Sequence, residues 1–360
     1  MTIKIRSVED LFTSSKFPTD VLQRHNAFPD AIFFDGKEYV AFRSAKNHYP
    51  TRSSTIVIIS RKNNSAWMVE LTIQIPRTDV RDPRFLVVNG HLNLYFGTVH
   101  ANRYAFRLLS TYVVLTTGDE QWTKPIRVYK PGYIHSRVRK IGHIYYMCVY
   151  SQRMRPPFHS VCRIVTSTDG LLWNEKSLFG ELVEEGTESD CIVIGKNKLL
   201  WIIRNDFGLN HKAGSYIKII QRNGTVLSCR YDKRKYDAPL LLSIQEDIYL
   251  LSRSQESFHG NYNTGIPLLP KAILNSLYLV LYWLTPKTTS LWKIDIESLE
   301  IIKCLDLPSQ GDTGYCSFVE NKNGEKYIYN YSSDLSKHPT SWRRGQTKPT
   351  SIYKYLLEVA

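Results

Sequence analysis

Six reactive side chains stand where an apolar, aromatic-rich run meets a polar turn: Arg43 in VAFRS, Asp82 in VRDPRF, Glu188 in EGTESD, Arg204 in WIIRND, Arg253 in LLSRS and Tyr315 in GDTGYCS. Guanidiniums hold planar anions through charge-assisted, often bidentate bonds. Carboxyl groups move protons, and a phenol with a free pKa of about 10 becomes a useful nucleophile only beside a base. Asp30 in HNAFPD, His25, His48 and Asp312 lie next to similar runs and are candidates to line the same pocket. Each residue also has a plain structural reading. An arginine after a strand often forms a rim ion pair, Asp82 precedes Pro83 and could shape a turn, and Tyr315 is one of 23 tyrosines.

Residues so far apart in the chain need a repeating scaffold to bring them together. One pattern recurs six times: an apolar strand, a turn, then an aromatic-rich strand, as in AIFFDGKEYVAFR (31–43) and FLVVNGHLNLYFG (85–97). Its turn residues Gly36, Gly90, Gly142, Gly195, Glu246 and Gly324 follow one another at intervals of 54, 52, 53, 51 and 78 residues, the last lengthened by an insert near 256–290. Further Val-, Ile-, Thr- and Tyr-rich runs bring each interval to about four strands. Four-stranded sheets bury both faces when packed radially, so the pattern predicts an all-β, six-bladed β-propeller of antiparallel sheets. The expected organisation is one domain over 1–360, with a terminal strand completing the last blade. An exposed basic loop is expected near 336–350, and helix only at SVEDLF (7–12) and at 269–284.

With 42% apolar and 22% charged residues in 360, the chain has ample material for a core and is no disordered tail. A formal charge of +14 favours anionic ligands. No apolar run is long enough for a membrane span and the first residues lack the core of a signal peptide, so the expectation is a soluble, cytoplasmic protein without membrane contact. The six cysteines show no zinc-site spacing and read as reduced and mostly buried, with Cys148 and Cys162 able to face one another across a hairpin. The histidines are spread over separate loops without paired spacing, so no metal site and no cofactor are expected.

Three turns carry an acidic or polar residue ahead of a Trp: SRKNNSAW (60–67), TTGDEQW (116–122) and STDGLLW (167–173). They resemble the Asp boxes of sialidases, a folding device of the outer strands; STDGLLW is the fair match. The order Arg43, Asp82, Glu188, Arg204, Arg253, Tyr315 resembles the sialidase superfamily over nearly the whole chain. That resemblance implies a nucleophile, Tyr315, activated by Glu188, an acid/base, Asp82 (or Asp79), and three arginines, Arg43, Arg204 and Arg253, that fix a substrate carboxylate. Its substrate class is a terminal acidic sugar. Arg43 departs from the pattern, since it sits in FRSAK and not in an FRIP-like motif.

HNAFPD, VRDPRF and EEGTESD also resemble the five-bladed arabinanase, xylosidase and invertase-type glycosidases. There Asp30 would be base or nucleophile, Asp82 a pKa-tuning partner, and Glu184, Glu185 or Glu188 the acid. A non-catalytic propeller that binds a glycan or a protein is a third possibility. A polyanion binder is the weakest, because no aromatic-and-basic stripe accompanies RYDKRKY (230–236) or SWRRGQTK (341–348). The expected partner is thus a carbohydrate or other anionic small molecule, not nucleic acid; the sequence leaves the oligomeric state open.

Overall fold

A computed structural model describes residues 2–360 apart from 14–16, 64, 102–106, 119–120, 154–158, 175–182, 185, 196, 207–212 and 256–268. After β1 (Ile3–Asp10), the strands fall into six groups. The first holds β2 (His25–Phe34), β3 (Lys37–Ala45), β4 (Thr55–Lys62) and β5 (Met68–Ile73). The second holds β6 (Thr78–Val88), β7 (His91–His100), β8 (Leu108–Leu115) and β9 (Ile126–Arg127). The third holds β10 (Ile134–Ile141), β11 (Ile144–Arg153), β12 (His159–Ser167) and β13 (Val183–Glu184). In the fourth are β14 (Gly186–Val193), β15 (Lys198–Asn205), β16 (Gly214–Gln221) and β17 (Val226–Asp232). In the fifth are β18 (Asp237–Ile244), β19 (Asp247–Gln255), β20 (Lys287–Ile294) and β21 (Ile301–Leu307). The sixth is β22 (Gly314–Glu320), β23 (Lys326–Ser333) and β24 (Thr350–Val359), completed by β1, which pairs antiparallel with β24.

The first strands touch in the order β2, β6, β10, β14, β18, β22 and back to β2. This closed ring of six four-stranded antiparallel sheets is a β-propeller, and it does not fit the five-bladed alternative. A single parallel pair, His25 with Thr350, links the first and last blades. An apolar cluster fills each gap between neighbouring blades. Ile56, Ile58, Phe85 and Leu94 pack between blades one and two, and Leu242, Leu251, Ile328 and Tyr355 between five and six. Both faces of every sheet are therefore buried, which explains the nearly continuous apolar runs of the second strands. The turns are as local as the sequence implies: Asp35-Gly36 and Asn89-Gly90 both have positive φ at each residue (47° and 72°, 50° and 84°), the signature of a type I′ hairpin.

Several expectations need correction. SVEDLF is mostly strand: β1 runs to Asp10 because β24 offers it a free edge, and only Leu11–Thr13 turn as a 3-10 helix. Cys162 lies opposite Tyr150, and the Cys148 sulfur instead sits 3.8 Å from Cys191 of the next blade. All six cysteines are free thiols, with Cys229 and Cys304 exposed. The expected helix exists as α1 (Lys271–Leu284), inserted between β19 and β20; the insert's residues 256–268 lie outside the described set. The segment 336–350 is not simply a solvated loop, because it contains α2 (Trp342–Gly345), whose Trp342 is buried against Tyr282 of α1. No helix among the described residues is long and apolar enough to cross a membrane.

Candidate active site

One backbone irregularity repeats around the ring. Every first strand slips register against its second strand, between Ala27 and Asp30, Arg81 and Arg84, His135 and Arg137, Gly186 and Ser189, Asp237 and Leu240, and Gly314 and Ser317. Within four of these bulges Phe28, Asp82, Ala238 and Tyr315 have φ of 59°, 55°, 50° and 56°. Left-handed backbone costs a non-glycine residue about 1–2 kcal/mol, and a bulge re-aims the side chain that carries it. Pro29, Pro83 and Pro239 follow three of these residues, tolerated there because the ladder is already interrupted. Asp82, Glu188 and Tyr315 all lie within these bulges.

Tyr315 donates its phenolic hydrogen to Glu188 Oε1. The other oxygen, Oε2, accepts from Arg204 Nη1 at 2.6 Å and from the Ala238 amide at 2.9 Å. Arg204 Nε lies 3.0 Å from Asp206 Oδ1 and 2.8 Å from Asp237 Oδ1. Tyr282 of α1 donates to Asp237 and accepts from Arg253 Nε at 2.9 Å. The Arg253 guanidinium lies 4.6 Å from the Trp342 ring centroid, and Lys235 Nζ is 2.5 Å from Asp206. Three cations and three carboxylates thus balance on this side.

Across the axis the pairing is incomplete. Asp82 Oδ1 and Arg84 Nη2 are buried and have no hydrogen-bond partner. Arg84 Nη1 donates to the Pro29 and Pro83 carbonyls at 3.2 and 2.9 Å, its guanidinium stands 5.4 Å from the Tyr315 ring centroid, and it lies 3.8 Å from Asp30. Asp30 Oδ2 is taken by the Phe85 amide at 2.6 Å. Arg43 is fully buried, bonded to both oxygens of Asp79 and to the carbonyls of Asn47 and Tyr49. Arg81, also paired with Asp79 (3.1 Å), acts by its charge on Asp82 and Tyr315, as Arg84 does on Asp82.

These surroundings set the protonation states. Burial pushes the Asp82 carboxyl up to about 6, with Glu188 and Asp79 adding to the rise and Arg81 and Arg84 opposing it. Burial raises the Tyr315 phenol well above its ordinary value, and the anions Asp82 and Glu188 raise it further. Burial also acts upward on Glu188, but Arg204 and Arg253 outweigh it and hold the carboxyl below its usual range. Near neutral pH the site therefore offers a protonated phenol against a carboxylate, and a second carboxyl poised to gain or lose a proton.

His25, His48 and Asp312 converge although 264 residues separate the last two. Asp312 Oδ2 lies 2.9 Å from His25 Nε2 and 2.6 Å from His48 Nδ1, while Oδ1 accepts from Tyr331 (3.0 Å) and Trp342 Nε1 (2.8 Å). An ionised carboxylate only accepts, so both imidazoles donate to it. The three could offer one ligand atom each to a metal ion, yet Asp312 is already satisfied by four donors. The cluster joins the first blade to the last and to α2. Glu184 lies in β13, the fourth strand of its blade, and Glu185 lies outside the described residues.

Sequence reasoning missed Arg81, Arg84, Asp237, Tyr282 and Trp342. A signal existed for three of them: VRDPRF and YDAPLLL share with HNAFPD a proline one step past the bulge. Nothing local marks Tyr282 or Trp342, which reach the site from insertions.

No family model matches the chain, and neither does any curated protein sequence. Among solved structures, Trypanosoma rangeli sialidase in complex with the inhibitor DANA superposes with a TM-score of 0.61 at 11% identity over 92% of this chain and 55% of that one. Phage phi92 endosialidase superposes with a TM-score of 0.61 at 10% identity over 98% of this chain and 69% of that one. The chain spans about half the length of the trypanosomal enzyme. At such identities the likeness concerns the fold, and the fold is that of a sialidase-like β-propeller.

Proposed function

We propose that the protein is a sialidase-like glycoside hydrolase that cleaves a terminal acidic sugar at the propeller axis. One observation carries this reading: a phenol, Tyr315, donates to an ionised carboxylate, Glu188, beside a second buried carboxyl, Asp82, that has an unpartnered oxygen. A sugar acid bears its own carboxylate on the anomeric carbon and would repel a carboxylate nucleophile. A neutral phenol that passes its proton to Glu188 as it attacks avoids that repulsion. Asp82, protonated below about pH 6, gives its proton to the leaving oxygen; when water then displaces Tyr315 from the anomeric carbon, Asp82 takes a proton from that water and Glu188 returns its proton to the phenol oxygen. Arg84 Nη2, buried and without a hydrogen-bond partner, is the donor this reading gives to the substrate carboxylate. Arg204 and Arg253 hold Glu188 and frame the pocket, and Arg43 acts at one remove through Asp79.

The test is turnover of aryl sialosides, with aryl furanosides as controls. Tyr315→Phe and Glu188→Gln should abolish it, by about 10³-fold or more, with circular dichroism confirming that each variant is folded. Activity retained in Tyr315→Phe and lost in Asp30→Asn would transfer the reaction to a carboxylate mechanism. A second reading, a non-catalytic glycan-binding propeller, is favoured by the pairing of Arg204 and Arg253 with Asp237. It predicts sialoside binding by the parent protein with no turnover.

A further inference from the structure

Helix α1 has two apolar faces with different fates. One face carries Tyr278 and Tyr282, both buried, with Tyr282 bonded to Asp237 and Arg253 in the axial cluster. The other carries Ile273, Leu277, Val280 and Leu284, at the 4-3-4 spacing of one helical stripe, with Trp283 beside it; these five are between 37% and 53% exposed. After Lys271 the helix has no charged residue. Alongside it α2 packs through Trp342 and presents exposed Arg343 and Arg344, followed by exposed Lys348.

We propose that this stripe and its basic border dock on an anionic lipid surface. An apolar stripe with a Trp beside it and arginines along its border matches the interface of a bilayer, where aliphatic side chains enter the acyl boundary and cations meet acidic headgroups. Charge selects this occupant over the others. A second copy would bring basic border against basic border on chains of formal charge +14, and a nucleic acid backbone offers nothing to five apolar side chains. Because the opposite face of the same helix reaches into the axial cluster, docking would turn that end of the propeller toward the lipid headgroups. The inference stands apart from the catalytic reading and needs no activity for its test.

The experiment is co-sedimentation of the full chain with vesicles of phosphatidylcholine alone and of phosphatidylcholine with 30% phosphatidylserine, at low and high salt, with light scattering on the free protein. Binding to the serine-containing vesicles is expected, weakened by salt. The partition coefficient should fall about tenfold or more in Leu277→Ser/Val280→Ser and in Arg343→Glu/Arg344→Glu. Circular dichroism and thermal unfolding confirm that each variant is folded; if the serine pair unfolds, Ile273→Ser and the arginine pair carry the test. Failure to bind acidic vesicles, or binding that ignores both folded variants, overturns the proposal. So does a dimer abolished by Leu277→Ser/Val280→Ser, which would make a second copy the occupant.

Discussion

On one side of the propeller axis Arg204, Arg253 and Lys235 are matched by Glu188, Asp206 and Asp237, and almost every charged group touches a partner within 3 Å. On the other side Asp82 Oδ1 and Arg84 Nη2 are equally buried and have no partner. Buried polar groups left unpaired cost about 1–3 kcal/mol each, and among the sixteen such side-chain atoms of the described residues these two belong to neighbouring charged groups at the bulge of the second blade. The difference assigns the two sides different work. The paired side fixes the Glu188 carboxylate and the Tyr315 phenol, while the proposed function gives the unpaired, buried Asp82 oxygen and Arg84 nitrogen to a ligand.

The comparison breaks most visibly at Asp82. Asp82→Asn keeps the bulge but removes the proton donor, so turnover of a substrate with a poor leaving group should fall by about 10²–10⁴-fold. The parent protein should lose kcat/KM as pH rises through about 6, where Asp82 deprotonates. That limb should vanish in the variant, as a pH profile of kcat/KM would show. On the paired side the effect is on folding. Asp237→Ala strands Arg204 and Arg253 without their shared carboxylate, and denaturant titration should show a loss of about 3–5 kcal/mol.

The seam between first and last blades sharpens the contrast through pH. Burial holds His48 down at about 4, against the pull of Asp312, and lowers His25 as well. The unfolded chain therefore takes up protons at higher pH than the folded one. Stability is complete above about 6.5 and should be lost progressively as pH falls toward 4, by up to about 3 kcal/mol for His48. Thermal unfolding across that window checks this, and His48→Gln should flatten the slope. The smallest effect belongs to the rim. Asp169 accepts from the amides of Leu171 and Leu172 in STDGLLW, both at 2.8 Å, so Asp169→Ala should cost about 1 kcal/mol and leave ligand binding untouched.

Much of the scaffold is legible in the sequence because propeller blades are local. Strand, Asp35-Gly36 turn and strand lie within 21 residues (25–45), and the period near 52 repeats that unit. Interactions between blades are another matter. The choice of β1 as strand depends on an edge supplied some 350 residues later, the neighbour of Cys148 is on the next blade, and the Asp312 hub joins residues from opposite ends of the chain. For the candidate site, residue types at hairpin ends point to Glu188 and Tyr315, which the fold brings into contact. Whether an arginine faces the axis or a buried carboxylate is decided by strand register: Arg43 meets Asp79 and Arg84 spans the bulges, a distinction invisible without the partner strand.

The central claim is that Tyr315 is the nucleophile, and the most direct measurement is intact-protein and peptide mass spectrometry after incubation with 2,3-difluorosialic acid. The compound is reported as a covalent intermediate on the trypanosomal neighbour. The account predicts a single glycosyl adduct on the peptide containing Tyr315, absent from Tyr315→Phe and slowed in Glu188→Gln. An adduct on Asp30, Asp82 or Glu188, or an unmodified protein that still hydrolyses sialosides, would contradict it.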